Sequence, residues 1–122
     1  MMERRIIKGL MIGMVLFSAC YYDVEEELYP ATVCNTENMS YQNHIVPILQ
    51  QHCYSCHSAA VNNGNVTLEG YSQFIKYVNS GQLLGAIKHE SGFSAMPQGL
   101  SSLIPCNIKK IEEWINQGKL NN

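Results

Sequence analysis

The chain places two thiols three positions apart with a histidine directly after the second, in Cys53-Tyr54-Ser55-Cys56-His57. Such a set holds a haem in three ways at once. Each thiol adds to a vinyl group as a thioether, and the imidazole of His57 reaches the iron as its proximal ligand. C-x-x-C-H is the attachment signature of haem c. Iron held in this way commonly takes a second axial ligand, often a methionine, which raises its potential. The sequence offers Met96 for that distal position, in Ala95-Met96-Pro97-Gln98-Gly99, where a stiff Pro and a permissive Gly follow the thioether. Two other chemistries use parts of the motif. A C-x-x-C pair alone serves as redox thiols or as half of a zinc site. Redox thiols have no use for the following histidine, and normally sit at a strand–helix junction for which the chain shows no pattern. Zinc is the open alternative, since His52, Cys53, Cys56 and His57 supply four nitrogen and sulfur donors, although ligands adjacent in sequence make a cramped tetrahedron.

Helices must carry these residues. One begins between Ser40 and His44, with Ser40 or Asn43 as its N-cap. Ile45, Ile48 and Leu49 fall at helical spacing and face a core, and Pro47, tolerated only in a first turn, argues for a start near Asn43. This helix delivers the chain into the C-x-x-C-H motif. Residues 58–70 form a loop with a tight-turn signal at Asn63-Gly64, and Val66 and Leu68 point inward. A helix over Tyr71–Asn79 shows Phe74, Ile75 and Val78 on one face and stops at Ser80-Gly81, and a shorter one over Gln82–Lys88 carries Leu83, Leu84 and Ile87. His89–Gly99 is then the loop that brings Met96 round. The last helix runs from Pro105 to just before Gly118, with Ile108, Ile111 and Ile115 on one stripe, Ile104 one turn earlier, and Trp114 bordering it as a core residue. No strand pattern and no repeat is present. The expectation is an all-α domain of four or five helices, too small to have much apolar core of its own.

The whole chain has 122 residues, 46% hydrophobic and 15% charged, with a net charge of -2. That is one domain, and its first segment lies outside it. Arg4, Arg5 and Lys8 form a positive n-region, Gly9–Phe17 a short apolar h-region, and Ser18-Ala19 the small residues of a cleavage site. The apolar run is too short to span a bilayer. Leu16-Phe17-Ser18-Ala19-Cys20 resembles a bacterial lipobox, with Phe17 in place of the usual aliphatic residue. That resemblance implies cleavage before Cys20, acylation of its thiol and new amine, and an anchor stable enough to hold the protein on a membrane. Residues 1–19 are then a lipoprotein signal peptide, 20–39 a lipidated, acidic linker ordered from near Cys34, and 40–122 the domain. Without residues 1–19 the chain keeps five Lys against nine Asp and Glu, a net of -4, and no Arg. Nothing basic remains to track phosphates, so nucleic acid is not an expected partner. Asp23-Val24-Glu25-Glu26-Glu27 reads as a solvated tether, and also resembles the acidic surface-export signals of some Gram-negative lipoproteins. With Cys20 taken by lipid and Cys53 and Cys56 by haem, Cys34 and Cys106 remain. In an exported, oxidising location an even remainder points to a disulfide, the alternative being two buried thiols.

The segment from Asn43 to Gly118 resembles a class I c-type cytochrome domain, and more narrowly the short cytochrome c lipoproteins of Bacteroidetes-like bacteria. The matching elements are Ile45-x-Pro47-Ile48-Leu49 ahead of C-x-x-C-H, then Met96-Pro97, then Ile108-x-x-Ile111-x-x-Trp114-Ile115-x-x-Gly118. Cys34 and Cys106 resemble a cysteine pair of that subgroup. The resemblance implies His57 as proximal ligand, Met96 as distal ligand, and first and last helices crossing beside one covalent haem c. Many relatives carry a proline soon after the motif whose carbonyl orients the ligand histidine. None occurs between His57 and Met96, so another carbonyl of the 58–70 loop must take that part. His89 shares the Met96 loop and is the alternative distal ligand. His44 and His52 read as surface residues of the first helix, and Met39 as structural.

Iron with His and Met on both faces has no open site for substrate, so the expected function is one-electron transfer between redox protein partners, without catalysis. A weakly acidic surface would favour partners with a basic patch. A peroxidase-like or gas-binding enzyme with an open distal site is the second reading, against which the absence of Arg counts. The third is a fixed haem subunit docked on a larger membrane complex. The expected location is a bacterial membrane, on its periplasmic face or at the cell surface, with the outer membrane favoured.

Overall fold

The computed structural model describes residues 34–122. The signal peptide expected at 1–19, the expected lipidation site Cys20 and the acidic run at 23–27 lie outside the described residues. Among the described residues five α-helices follow one another: α1 (Val46–His52), α2 (Tyr54–His57), α3 (Tyr71–Asn79), α4 (Gln82–Ile87) and α5 (Pro105–Asn116). A π-helical turn over Tyr41–Ile45 runs directly into α1, and a 3-10 turn over Asn63–Asn65 interrupts the loop after α2. The described residues form no strand, so the domain is all-α.

The first helical turn starts at Tyr41, ahead of the Asn43 start expected from Pro47. Ser40 is its N-cap, with Oγ accepting from the Asn43 N–H at 3.2 Å. Proline has no N–H to give, and its ring meets the carbonyl four residues back in an α-helix. The wide turn ends just before it, and Pro47 falls in the first turn of the α-helical geometry. Of the two caps that the sequence offered, Ser40 is the one used; the π-helical form of the first turn was not foreseen. Asn122 seals the same turn. Its side-chain oxygen accepts from the Tyr41 N–H at 3.1 Å, and its backbone oxygen accepts from the Gln42 N–H at 2.9 Å and the Ser40 hydroxyl at 2.7 Å. Helix starts leave several N–H groups without partners, and here the far end of the chain supplies them.

α3 and α5 end where expected, α4 one residue earlier with Lys88 as its C-cap. At the end of α5 the Gly118 N–H bonds the Ile115 carbonyl at 3.1 Å and the Lys119 N–H the Trp114 carbonyl at 3.0 Å. This six-residue closure needs a left-handed residue at its centre, and Gly118, with φ of 103°, provides it. Ile104 departs from expectation. It sits before Pro105 in extended conformation and is 61% exposed, because the helix that would have turned it inward has not yet begun.

The core joins the two ends of the described segment. Tyr41, Phe74 and Trp114 lie with ring centroids 5.8–5.9 Å apart, and Tyr71 meets Tyr41 edge-on at 5.2 Å. Such pairs contribute beyond their buried area. Ile45, Ile48, Leu49, Leu83, Ile87 and Ile111 fill in around them. Trp114 donates its indole N–H to the Leu120 carbonyl at 3.0 Å, so its burial leaves no polar atom stranded. Met39 is buried, and its N–H bonds the Gln117 side chain at 2.7 Å, which in turn donates to the Thr36 carbonyl at 2.9 Å. A Cys34–Cys106 disulfide fastens this entry segment to the first turn of α5. It closes a loop of 72 residues, for which chain entropy predicts a stabilisation of about 4 kcal/mol. Replacing both cysteines by serine is expected to lower the unfolding free energy by about that amount in urea titrations, with the transition still cooperative.

Candidate functional site

α1 ends at His52 and α2 begins at Tyr54, so Cys53 sits at a break in the helical path and Cys56 and His57 lie on the short helix beyond it. The His57 and Cys56 N–H groups both turn back to the Cys53 carbonyl, at 2.8 and 3.1 Å, which closes the motif into a compact turn. Cys53 is half-buried and Cys56 exposed. Burial pushes the Cys53 thiol up to about 11, so it stays protonated at neutral pH.

The chain then returns on the motif. The His57 carbonyl accepts from the Leu68 N–H at 2.8 Å, and the His57 Nδ1 lies 3.2 Å from the Val66 carbonyl. A carbonyl oxygen only accepts, so Nδ1 carries the hydrogen and Nε2 is left with a lone pair. That is how a metal-ligating imidazole is usually oriented. Val66 supplies the carbonyl for which the 58–70 loop contains no proline.

Opposite this wall stands the loop after α4. The Met96 N–H bonds the Ala86 carbonyl at 3.0 Å, and the Met96–Pro97 peptide is cis. Between the walls lie two adjoining hollows of about 480 and 560 Å³ that share Cys53, His57, Ile87 and Met96 among their lining residues. Together they form one cleft, of the size that takes small organic ligands. Val66, Leu68, Leu83 and Phe93 make one side of it apolar, and Cys56 borders the other. Among the described residues no Lys, Arg, Asp or Glu lines either hollow.

Cys53, Cys56, His57 and Met96, four residues singled out from sequence, thus border one cleft. The remaining histidines are placed otherwise. His89 is exposed, lines neither hollow, and holds its Nε2 3.0 Å from the Met96 carbonyl. His44 accepts the Ser40 N–H on Nδ1 at 2.9 Å, as part of the helix start. His52 lies on the cleft border with Asn107 3.4 Å from its ring. Among the described residues no three His, Cys, Asp or Glu gather as a metal-binding group. As placed in this structure, His52, Cys53, Cys56 and His57 are not gathered into a tetrahedron.

The donor set suits a flat apolar ring bearing a metal: two thiols on one edge, an oriented imidazole, a thioether across the gap, and aliphatic walls between them. Sequence reasoning missed Phe93 and Gly85. An added Cβ on Gly85 would lie 2.5 Å from the Phe93 ring, so the ring covers that face of α4 only because no side chain is there. The signal was a glycine inside a helix with no turn to explain it. Comparison of the chain with protein-family models, curated proteins and solved structures returns no match.

Gly85→Ala is expected to expel the Phe93 ring from the cleft and to cost about 1–3 kcal/mol, as overpacking does. With Phe93→Ala already in place the same change should cost far less. A double-mutant cycle of unfolding free energies checks this, and additive costs would refute the contact.

Proposed function

We propose that the chain is a membrane-anchored, monohaem c-type cytochrome that passes single electrons between redox proteins. The observation that carries this reading is that Cys53, Cys56, His57 and Met96 border one cleft although they are as much as 43 positions apart. In this reading the domain is a small cytochrome c-like fold, with Cys53 and Cys56 as thioether attachment points, His57 as proximal and Met96 as distal ligand. The haem supplies a one-electron iron couple.

The protein's own residues do the rest. The Val66 carbonyl engages the Nδ1 of His57, which leaves Nε2 as the ring nitrogen available to a metal. Val66, Leu68, Leu83, Ile87 and Phe93 exclude water from one side, which lowers the local dielectric and favours the less charged redox state. With His57 and Met96 both holding the iron, no site would be open to a substrate, which favours a carrier over an enzyme.

Electrostatic steering has a specific origin in this reading. Residues 34–122 carry five Lys and five Glu, which cancel, so the whole acidic excess of the processed chain resides in 23–27. We assign any salt-sensitive attraction of basic partners to that segment, and close docking to the uncharged rim. Cys20 as lipid anchor keeps the protein on a bacterial membrane after export.

The test is expression of the exported chain with a cytochrome c maturation system. Sharp reduced-state bands and colour retained through denaturation are expected, along with a weak near-infrared sulfur–iron(III) band that vanishes in Met96→Ala. Serine at both Cys53 and Cys56 should abolish covalent retention. A protein that acquires no haem and instead binds zinc would refute the proposal.

A further inference from the structure

α4 closes with the same six-residue pattern as α5. The His89 N–H bonds the Ala86 carbonyl at 3.2 Å, and the Glu90 N–H bonds the Gly85 carbonyl at 2.9 Å. The central residue of that pattern is left-handed, and it is usually glycine. In α5 it is Gly118, but in α4 it is His89, with φ of 58°. A residue with a Cβ is disfavoured there, so this turn holds a histidine where glycine would close the helix more easily.

The ring accounts for it. Its Nε2 lies 3.0 Å from the Met96 carbonyl oxygen, which only accepts, so Nε2 carries the hydrogen and donates. The Met96 N–H meanwhile donates to the Ala86 carbonyl at 3.0 Å, the same oxygen that receives the His89 N–H. Both polar groups of the Met96 backbone are therefore fastened to the end of α4, one directly and one through the His89 ring. The stretch between them is exposed from Lys88 to Ala95. Its fastening to the helix passes through these bonds and the seat of Phe93 on Gly85.

We propose that His89 is a positioning residue for Met96: its left-handed backbone aims the ring across the loop, and the Nε2–H bond to the Met96 carbonyl fixes how the thioether is presented to the cleft. The ligand role of the thioether rests on the cytochrome reading; the clamp rests on the hydrogen bonds alone.

The test uses the mature holoprotein and two variants, His89→Gly and His89→Gln. Glycine suits the backbone and removes the ring, whereas glutamine restores an N–H donor of similar reach. In His89→Gly the unfolding temperature should hold or rise. Exchange of the Met96 amide hydrogen in the reduced protein should nevertheless quicken about tenfold, the change that loss of one ordinary hydrogen bond brings to local opening. The near-infrared sulfur–iron(III) band should weaken in the same variant, and His89→Gln should restore both signals. Unchanged Met96 exchange in His89→Gly, or a loss of both signals that glutamine does not restore, would overturn the clamp. Absence of the band from the parent protein would instead sink the ligand reading, and the exchange comparison would still decide the clamp.

Discussion

One hydrogen bond, from the His57 Nδ1 to the Val66 carbonyl, sets a condition that much of the surrounding chain meets. An imidazole ring turns about a single soft bond, and a ligand nitrogen is useful only if that turn is stopped. Stopping it requires the chain to come back on itself within nine residues. The return is made through Asn62 and Asn65, both left-handed, with the Thr67 hydroxyl bonded to the Asn62 side chain at 2.8 Å and Glu69 accepting the Ala59 N–H at 2.7 Å. Asparagine tolerates that conformation better than most residues. The same return lays Val66 and Leu68 along the cleft, so the segment that orients the ring also builds one of its walls.

The opposite wall is held by other means. α4 packs on α3 and α5, and an ion pair between Lys88 and Glu112 joins the end of α4 to α5. Such a half-exposed pair adds little energy, and its value lies in register. A domain this small that is also cut by a cleft cannot rely on apolar burial alone. The disulfide, the Gln117 bridge to the entry segment and the Asn122 cap compensate by tying the two ends of the described segment to one another.

What was readable in the sequence followed from local chemistry. α3, α4 and α5 announce themselves by apolar spacing and by breakers at their ends, and Cys53, Cys56, His57 and Met96, singled out by type and spacing, do border one cleft. The need for a loop carbonyl to orient His57 was readable too, as a missing proline, though not that Val66 would fill it. The features that escaped depend on distant partners. Nothing near Asn122 says that it caps a turn at Tyr41, and nothing near Gly85 says that a ring eight positions on will lie over it. Ile104 was misread for a related reason: its spacing matches the α5 stripe, but the helix starts only after it. The π turn before Pro47 escaped because apolar spacing alone does not separate it from an α-helical start.

The disulfide has a mechanical meaning as well as a thermodynamic one. Cys34 is the first of the described residues, so a pull arriving along the chain ahead of it enters the domain there, and Cys106 lies in the first turn of α5. Tension arriving at residue 34 therefore passes through a covalent bond into the helix that carries Trp114, instead of peeling residues 35–40 away one hydrogen bond at a time. The Ser40 cap and the Gln117 bridge are bypassed by the load. To open the domain from this end, a force must drag α5 out of the aromatic core as a unit, which is a far stiffer route than unzipping its entry segment.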